Sequence, residues 1–379
     1  MLLLRQMYCP IAVLVVVLSV PGASADLSSE DAVVLIATRL QQNQVLDGPE
    51  TGLWPGEESF MGPITAGMAC AYDWTGDISY MFTARSGAFY LLHAANLRGN
   101  LLGDEAYALV RMSQLHKKEL GGEPGAADQW IGALASFYDS LRLSPTDEGS
   151  TQAYIDYFDD GEPSANVFFF AHHVVAAYYV DDPDKEIWRD ALIAQLTRVD
   201  DDTSSLPVMA LGVATWALAK IDKLDDTPVA STGESPSYWD GVMLRDLPML
   251  LLGHQVPPGE LFAGSFYWRF DHGGGGSPSM AAGFTEDAVY CTLGLATAAS
   301  LKINLQNEEM RQAVLFAQEA LLQGIDADGA VHEHLCRQGE IRHVFAGEVL
   351  QGLWGVKQYL AAQADAKTAE AAPLVNGEN

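Results

Sequence analysis

The sequence predicts an all-α protein built as a closed ring of six helical hairpins. Three observations carry this expectation. Helical patterning runs almost unbroken from Leu27 to Leu360. Segments apolar on nearly every face alternate with segments apolar along one stripe, at a period of roughly 40 to 50 residues. The all-round apolar segments are dense in small residues, which lets inner helices approach closely around an axis. A helix apolar on every side must be buried, whereas an amphipathic one lines an outer layer.

Ser28 or Ser29 caps a first amphipathic helix reaching about Gln44. Residues 48–75, with Gly, Pro and Trp54, read as irregular. Inner helices are expected to begin near Ile78, Ala127, Asn166, Pro207, Glu286 and Val344. Between them lie more polar segments, from Asp104 to Lys118, Gln152 to Phe158, Asp184 to Val199, Tyr238 to Gly253 and Asn307 to Gln323. Thr285 reads as an N-cap with Glu286 and Asp287 in the first turn. Asp326 to His343 reads as a β-hairpin, with Asp328-Gly329 and Gln338-Gly339 as turn signals. One domain over residues 26–361 and a loose polar tail over 362–379 complete the expected layout.

Arg5, the apolar stretch Ile11 to Val20 and Ala23-Ser24-Ala25 form the pattern of a cleaved secretory signal. Residues 1–25 are therefore expected to leave, and the protein to be secreted or periplasmic. The apolar stretch is shorter than the about 20 residues a membrane span needs, and no later stretch qualifies. With 21 Lys and Arg against 50 Asp and Glu, the net charge is −29. A field of that sign opposes nucleic acid and anionic membranes, so neither is an expected partner. Beyond the signal, Cys70, Cys291 and Cys336 allow one disulfide at most, which excludes a disulfide scaffold. The four glycines Gly273 to Gly276 lack the following Lys-Ser/Thr of a phosphate loop, and no G-x-S-x-G elbow is present.

This pattern resembles the (α/α)6 toroid, the architecture of six-hairpin glycosidases, several polysaccharide lyases and the terpenoid cyclases. The resemblance spans about Ser28 to Leu360 and rests on patterning, with no family motif. The fragment Gly324-Ile325-Asp326-Ala327-Asp328-Gly329-Ala330 is loosely similar to the Asp-x-Asp-Gly-(small)-Trp turns of terpenoid-cyclase repeats, but the Trp is missing. So is the cyclase Asp-x-Asp-Asp motif. In a toroid all inner helices run the same way, so their N-termini converge on one mouth whose positive dipole ends favour carboxylates. The residues expected to lead those helices are Asp77, Asp128, Asn166, Ser204-Ser205 and Glu286-Asp287, with Glu348 one turn inside the last.

Glycoside hydrolysis needs carboxylates facing each other, one protonated and one ionised. Glu286, Asp287, Asp128 and Glu348 are the candidate catalytic residues. Acids at helix starts are also ordinary caps; Glu348, set among Val344, Phe345, Val349 and Leu353, is the least cap-like. Trp54, Trp74, Trp130, Tyr267 and Trp268, along with Tyr72, offer flat faces for sugar rings, and His272 sits on the loop beside Asp271. His332 and His334, two apart on one strand face, and His343 are candidate ligands for a divalent metal; H-x-H spacing alone is a weak signal, and no cofactor is expected. His172-His173 reads as a hydrogen-bonded core pair, and Cys291 as a core residue.

The expected function is an exported carbohydrate-active enzyme taking a polysaccharide or oligosaccharide, as a glycoside hydrolase or polysaccharide lyase. Scarcity of bases to hold uronates favours hydrolysis. Two alternatives stay open, a non-catalytic helical toroid that binds a ligand or protein partner, and a terpenoid-cyclase-like enzyme. The export signal and the missing acid motif argue against the latter.

Overall fold

A computed structural model describes residues 27–119, 128–142, 150–159, 161–230, 238–271 and 282–371. Its helices come in outer–inner pairs. Outer α1 (Ser29–Asn43) precedes inner α2 (Met61–Thr75), and outer α3 (Ile78–Arg98) precedes inner α4 (Gly103–Glu119). The pair α5 (Gln129–Arg142) and α6 (Thr151–Asp159) precedes inner α7 (Pro163–Tyr179). Then follow outer α8 (Lys185–Leu196) with inner α9 (Pro207–Lys220), outer α10 (Leu247–Gly253) with inner α11 (Thr285–Ala299), and outer α12 (Glu308–Gln323) with inner α13 (His343–Ala371). The inner six close a ring, with α2 on α4, α4 on α7, α7 on α9, α9 on α11, α11 on α13 and α13 back on α2. The chain is the expected all-α (α/α)6 toroid.

Side-chain patterning explains the two layers. In α9 every residue from Pro207 to Ala219 is buried. In α12 only Met310, Ala313, Val314, Ala317, Ala320 and Leu321 are, at the three- and four-residue spacing of one helical stripe. Small residues set how closely the ring packs. A Cβ on Gly67 of α2 would strike the backbone of Gly347 in α13, and one on Gly294 of α11 would strike the Gly212 carbonyl in α9.

Two of the six inner helices differ from expectation. The helices starting at Ile78 and near Ala127 belong to the outer layer; α2 and α4 take their places. Residues Gly62, Pro63 and Gly67 make α2 look like a loop in sequence, yet Pro63 lies in the first turn, where a missing N–H costs nothing. A buried helix also shows no amphipathic period to betray it. The outer helix α3 is apolar on many sides but leaves Ile78, Phe82, Phe89 and Leu97 exposed. Most of the charges on α4 lie at its two ends, mid-helix Arg111 is buried and paired with Asp73, and Gly103 to Ser113 is buried without a gap. One consequence reaches the site: Asp77 and Asp128 lead outer helices.

Smaller differences follow from local chemistry. Phe284, extended, is the N-cap of α11, and Thr285 is its first residue. Strands β1 (His332–His334) and β2 (Gln338–Ile341) form the expected hairpin. Asp328-Gly329 turns the chain between the bridged Ile325 and Val331 as expected. Gln338-Gly339, by contrast, lies within β2, and the tight turn falls at Arg337, whose φ is 61°. The last helix runs to Ala371, into the stretch expected as tail. Cys70, Cys291 and Cys336 are free thiols, the first two buried. Among the described residues, no helix is long and apolar enough to cross a membrane.

Candidate active site at the N-terminal mouth

Contacts between the segments that open the inner helices run round the whole ring. Gly62 of α2 abuts Asp104 of α4, and Gly103 abuts the Phe169 carbonyl of α7. Glu162, the N-cap of α7, accepts the Ser205 amide just before α9 at 2.9 Å. Asp201 accepts the Phe270 and Asp271 amides, at 2.8 and 2.6 Å, from the loop leading to α11. Thr285 Oγ1 donates to the His332 carbonyl at 2.7 Å. Glu57, just ahead of α2, accepts from the His343 amide at 2.9 Å and from Arg342 at 2.6 Å, which caps α13. All six N-termini therefore meet at one mouth, as the toroid requires.

Acids from three inner helices gather there around a single phenol. Tyr290 of α11 donates to Glu348 Oε1 of α13 at 3.1 Å. Burial, the Glu348 charge and the nearby Asp104 and Glu286 carboxylates push the Tyr290 hydroxyl well up. Asp104 of α4 is buried, and one of its oxygens has no hydrogen-bond partner. Burial, with the Glu105 charge beside it, raises its pKa. Glu348 is likewise buried with Oε2 unpartnered, and burial together with the Glu286 charge raises it well above the usual carboxylate range. Glu286 is half-buried. Low-dielectric surroundings penalise the charged form of a buried carboxyl and outweigh the Arg98 charge on Asp104 and the Arg342 charge on Glu348, so the trio sets two carboxyls biased toward the protonated form beside a more exposed acid.

Of the acids adjacent to these, Glu105 is paired and Asp287 is buried with both carboxyl oxygens unpartnered. Glu105 accepts from Arg98 at 2.5 Å and from the Leu102 amide at 2.9 Å. Asp287 has no exposed surface; burial and the Glu286 charge raise its pKa, and its carboxyl lies beside the Met209 amide in the first turn of α9. Below the acids the axis is filled by rings. Phe168 meets Tyr290 edge-on at 5.3 Å, His172 lies 4.9 Å from Trp216, and Trp216 lies 4.8 Å from Tyr107. Half-buried Phe168 is the upper surface of this plug.

The expected catalytic group thus divides. Glu286, Asp287 and Glu348 meet at the mouth, but Asp128 does not. Its carboxylate accepts from Ser113 Oγ at 2.6 Å, and Ser113 in turn bonds Tyr179, the last residue of α7, at 2.9 Å. Asp128 therefore sits at the opposite end of the ring because it starts an outer element. Asp104, Tyr290 and Phe168 are the mouth residues that sequence reasoning missed. The adjacent acids Asp104-Glu105 behind a glycine were a usable signal, hidden because α4 was read as an outer helix.

The aromatic candidates scatter. Trp54 is wholly buried, with Nε1 donating to the Leu40 carbonyl at 2.8 Å, and presents no face to a ligand. Trp74 ends α2 at the far end under Lys357, 4.5 Å from its ring. Trp130 is buried against Phe89 at 5.2 Å, also at the far end. Tyr267 and Trp268 are half-buried on the loop that leads into α11 at the mouth; Tyr267 donates to Glu260 at 2.8 Å and Trp268 stacks under Arg269 at 4.9 Å. His272 lies outside the described residues.

The histidines have separate attachments. His332 Nε2 lies 2.8 Å from Asp326, His334 packs 4.2 Å from Phe284, and burial lowers the pKa of both His334 and His343. Among the described residues, no group of three His, Cys, Asp or Glu side chains is arranged to hold a metal ion. The Asp328 turn docks on α1 through an Arg39 ion pair at 2.6 Å. His172 and His173 are core residues, held neutral by burial with pKa values lowered to about 4 and about 3.

No protein-family model matches the chain, and no curated protein matches its sequence. Solved structures do match its fold. A polysaccharide lyase superposes with a TM-score of 0.54 at 12% identity, over 88% of this chain and 97% of the lyase. A family GH76 α-1,6-mannanase from Salegentibacter sp. gives 0.53 at 15% identity, over 88% of this chain and 100% of the mannanase. An inactive variant of that mannanase, with two adjacent aspartates replaced, is in complex with α-1,6-mannotriose. An unsaturated glucuronyl hydrolase specific for heparin gives 0.52 at 11% identity, over 90% of this chain and 97% of the hydrolase. The class of protein is thus an (α/α)6 toroid. Identities this low speak for the fold alone, and chemistry has to be argued from the site.

Proposed function

We propose that this protein is a carbohydrate-active enzyme that hydrolyses glycosidic bonds at the N-terminal mouth. The observation that carries the reading is the trio Asp104, Glu286 and Glu348, brought from three inner helices around the Tyr290 phenol. Glycoside hydrolysis asks for one carboxyl kept protonated and a second kept ionised. Glu348, buried and raised, is the general acid that protonates the departing glycosidic oxygen. Glu286, more exposed, is the carboxylate that activates water or attacks the anomeric carbon. Asp104 is a third acid beside them, and Phe168, Tyr267 and Trp268 supply ring faces for sugars. Toroids of this fold include a mannanase whose inactive variant lacks two adjacent aspartates; here adjacent acids open both α4 and α11. The leading segment supports a secreted or periplasmic location.

The test is release of reducing ends by the chain from Asp26 onward on a broad polysaccharide panel, with Glu286→Gln and Glu348→Gln alongside. Hydrolysis without absorbance from unsaturated products, abolished in both variants, is the expected result. Unsaturated products would make it a lyase. Ligand binding with no turnover, unchanged in both variants, would make it a non-catalytic toroid.

A further inference from the structure

Acidic side chains outnumber basic ones at the mouth. Acids reach it from every quarter: Asp104 and Glu105 on α4, Glu286 and Asp287 on α11, Glu348 on α13, and Glu57, Glu162 and Asp201 on the entering loops. No lysine is among them. Lys117, Lys118, Lys220 and Lys357 lie in the later parts of inner helices, Lys223 and Lys302 just follow such ends, Lys185 opens an outer helix, and Lys367 lies in the far half of α13. Residues 272–281 contain neither lysine nor arginine. Five arginines of the mouth are paired with acids: Arg39 with Asp328 at 2.6 Å, Arg98 with Glu105 at 2.5 Å, Arg342 with Glu57 at 2.6 Å, Arg269 with Asp201 at 3.8 Å and Arg337 with Asp326 at 3.6 Å. Arg198, at the end of α8, bonds Gln195. Among the histidines, His332 is engaged by Asp326, and burial disfavours the charged forms of His334 and His343.

From this arrangement we infer that the mouth takes glycans without negative charge, uncharged or amino sugars, and excludes uronates and sulfated sugars. The inference rests on the proposed hydrolase site and assigns its substrate class. A second observation points the same way. Asp104 Oδ1 and Glu348 Oε2 are buried with no partner, and both carboxyls have raised pKa values. A sugar hydroxyl both donates and accepts, so it can satisfy a protonated or an ionised carboxyl. A uronate carboxylate only accepts, so it can satisfy these two carboxyls only while they are protonated, and it would sit beside the Glu286 carboxylate while Arg39, Arg98, Arg269, Arg337 and Arg342 already hold acids.

The test is calorimetric binding of three probes to the intact protein at pH 6, namely mannotriose, a chitosan oligosaccharide and oligogalacturonate, at low and high salt. The expected result is at least about tenfold tighter binding of the first two, with the weak uronate binding strengthening as salt screens repulsion. Oligogalacturonate binding as tightly as the others, or weakening with salt, overturns the inference, as does failure of all three to bind. A parallel reducing-end assay separates this claim from the one beneath it. Cleavage of oligogalacturonate would keep the hydrolase and sink the charge selectivity. Binding of uncharged or amino sugars without cleavage would do the reverse.

Discussion

The two ends of the ring handle buried charge in opposite ways. At the C-terminal end, Asp73 of α2 is matched by Lys118 at 2.5 Å, the Trp354 indole at 2.9 Å and Arg111 at 3.5 Å. Burial opposes its ionisation, but those three partners outweigh it and hold its carboxyl below the ordinary range. Arg111 itself stacks on Trp354 at 4.0 Å. At the N-terminal mouth, Asp104 and Glu348 each keep an unpartnered oxygen, and burial raises both. Pairing at one end ties three inner helices together. Non-pairing at the other stores proton donors, at a cost in stability that a purely structural role would not ask for.

The largest test of this contrast is catalytic. Glu286→Gln and Glu348→Gln should each lower glycan hydrolysis about 10²- to 10⁴-fold with little loss in melting temperature, whereas Asp73→Asn should lower the melting temperature and spare the rate. Reversal of that pattern would move the site to the other end. Next in size, Arg111→Met should destabilise by about 1–3 kcal/mol in denaturant titration, because it removes one of Asp73's three partners while Lys118 and Trp354 remain. Gly67→Ala should cost about 1–3 kcal/mol, since its Cβ meets the Gly347 backbone and one helix must shift.

A smaller but more discriminating effect is in pH. Asp104 and Glu348 have folded-state pKa values above their unfolded ones, so the folded protein holds extra protons above about pH 4. Their contribution is greatest at acidic pH and is lost as pH rises through the folded values. Melting temperature should therefore fall from pH 5 toward pH 8, and Asp104→Asn with Glu348→Gln should flatten that fall. Asp73, whose folded pKa is depressed, contributes above its unfolded value and loses that contribution as pH drops below it. Asp73→Asn should lower the melting temperature at neutral pH, leave it unchanged at the acid limit and so remove the slope that Asp73 gives the acid limb. Smallest of all, Tyr290→Phe should cost about 1 kcal/mol by removing the donor to Glu348.

Legibility in the sequence followed the physics of each element. The six-hairpin plan was readable because burial leaves a compositional trace: Pro207 to Ala219 can only be a core helix, and Met310 to Leu321 can only line one. Glu286 and Glu348 were readable as mouth residues because they lie on helices whose burial was plain. Asp104 was not. Its helix carries charges at both ends, and whether such a helix lies inside or outside the ring depends on its neighbours. Trp54 shows the converse. An aromatic in a Gly- and Pro-rich stretch looks like a binding face, yet the fold spends it in the core, with its N–H on the Leu40 carbonyl.

Local composition and periodicity by themselves determined most of the helices, though not α2, along with the hairpin near the end, the acidity of the chain and its lack of any phosphate-binding or nucleophile-elbow motif. Those properties depend on spacings of a few residues, over which a chain's own geometry dominates. Tertiary structure alone decided which helix is inner, which end each acid occupies and which carboxyls go unpaired. A half-turn of assignment in one hairpin sends Asp128 to one mouth and Asp104 to the other. Only closure of the ring, through contacts such as Glu57 on the start of α13, selects between them.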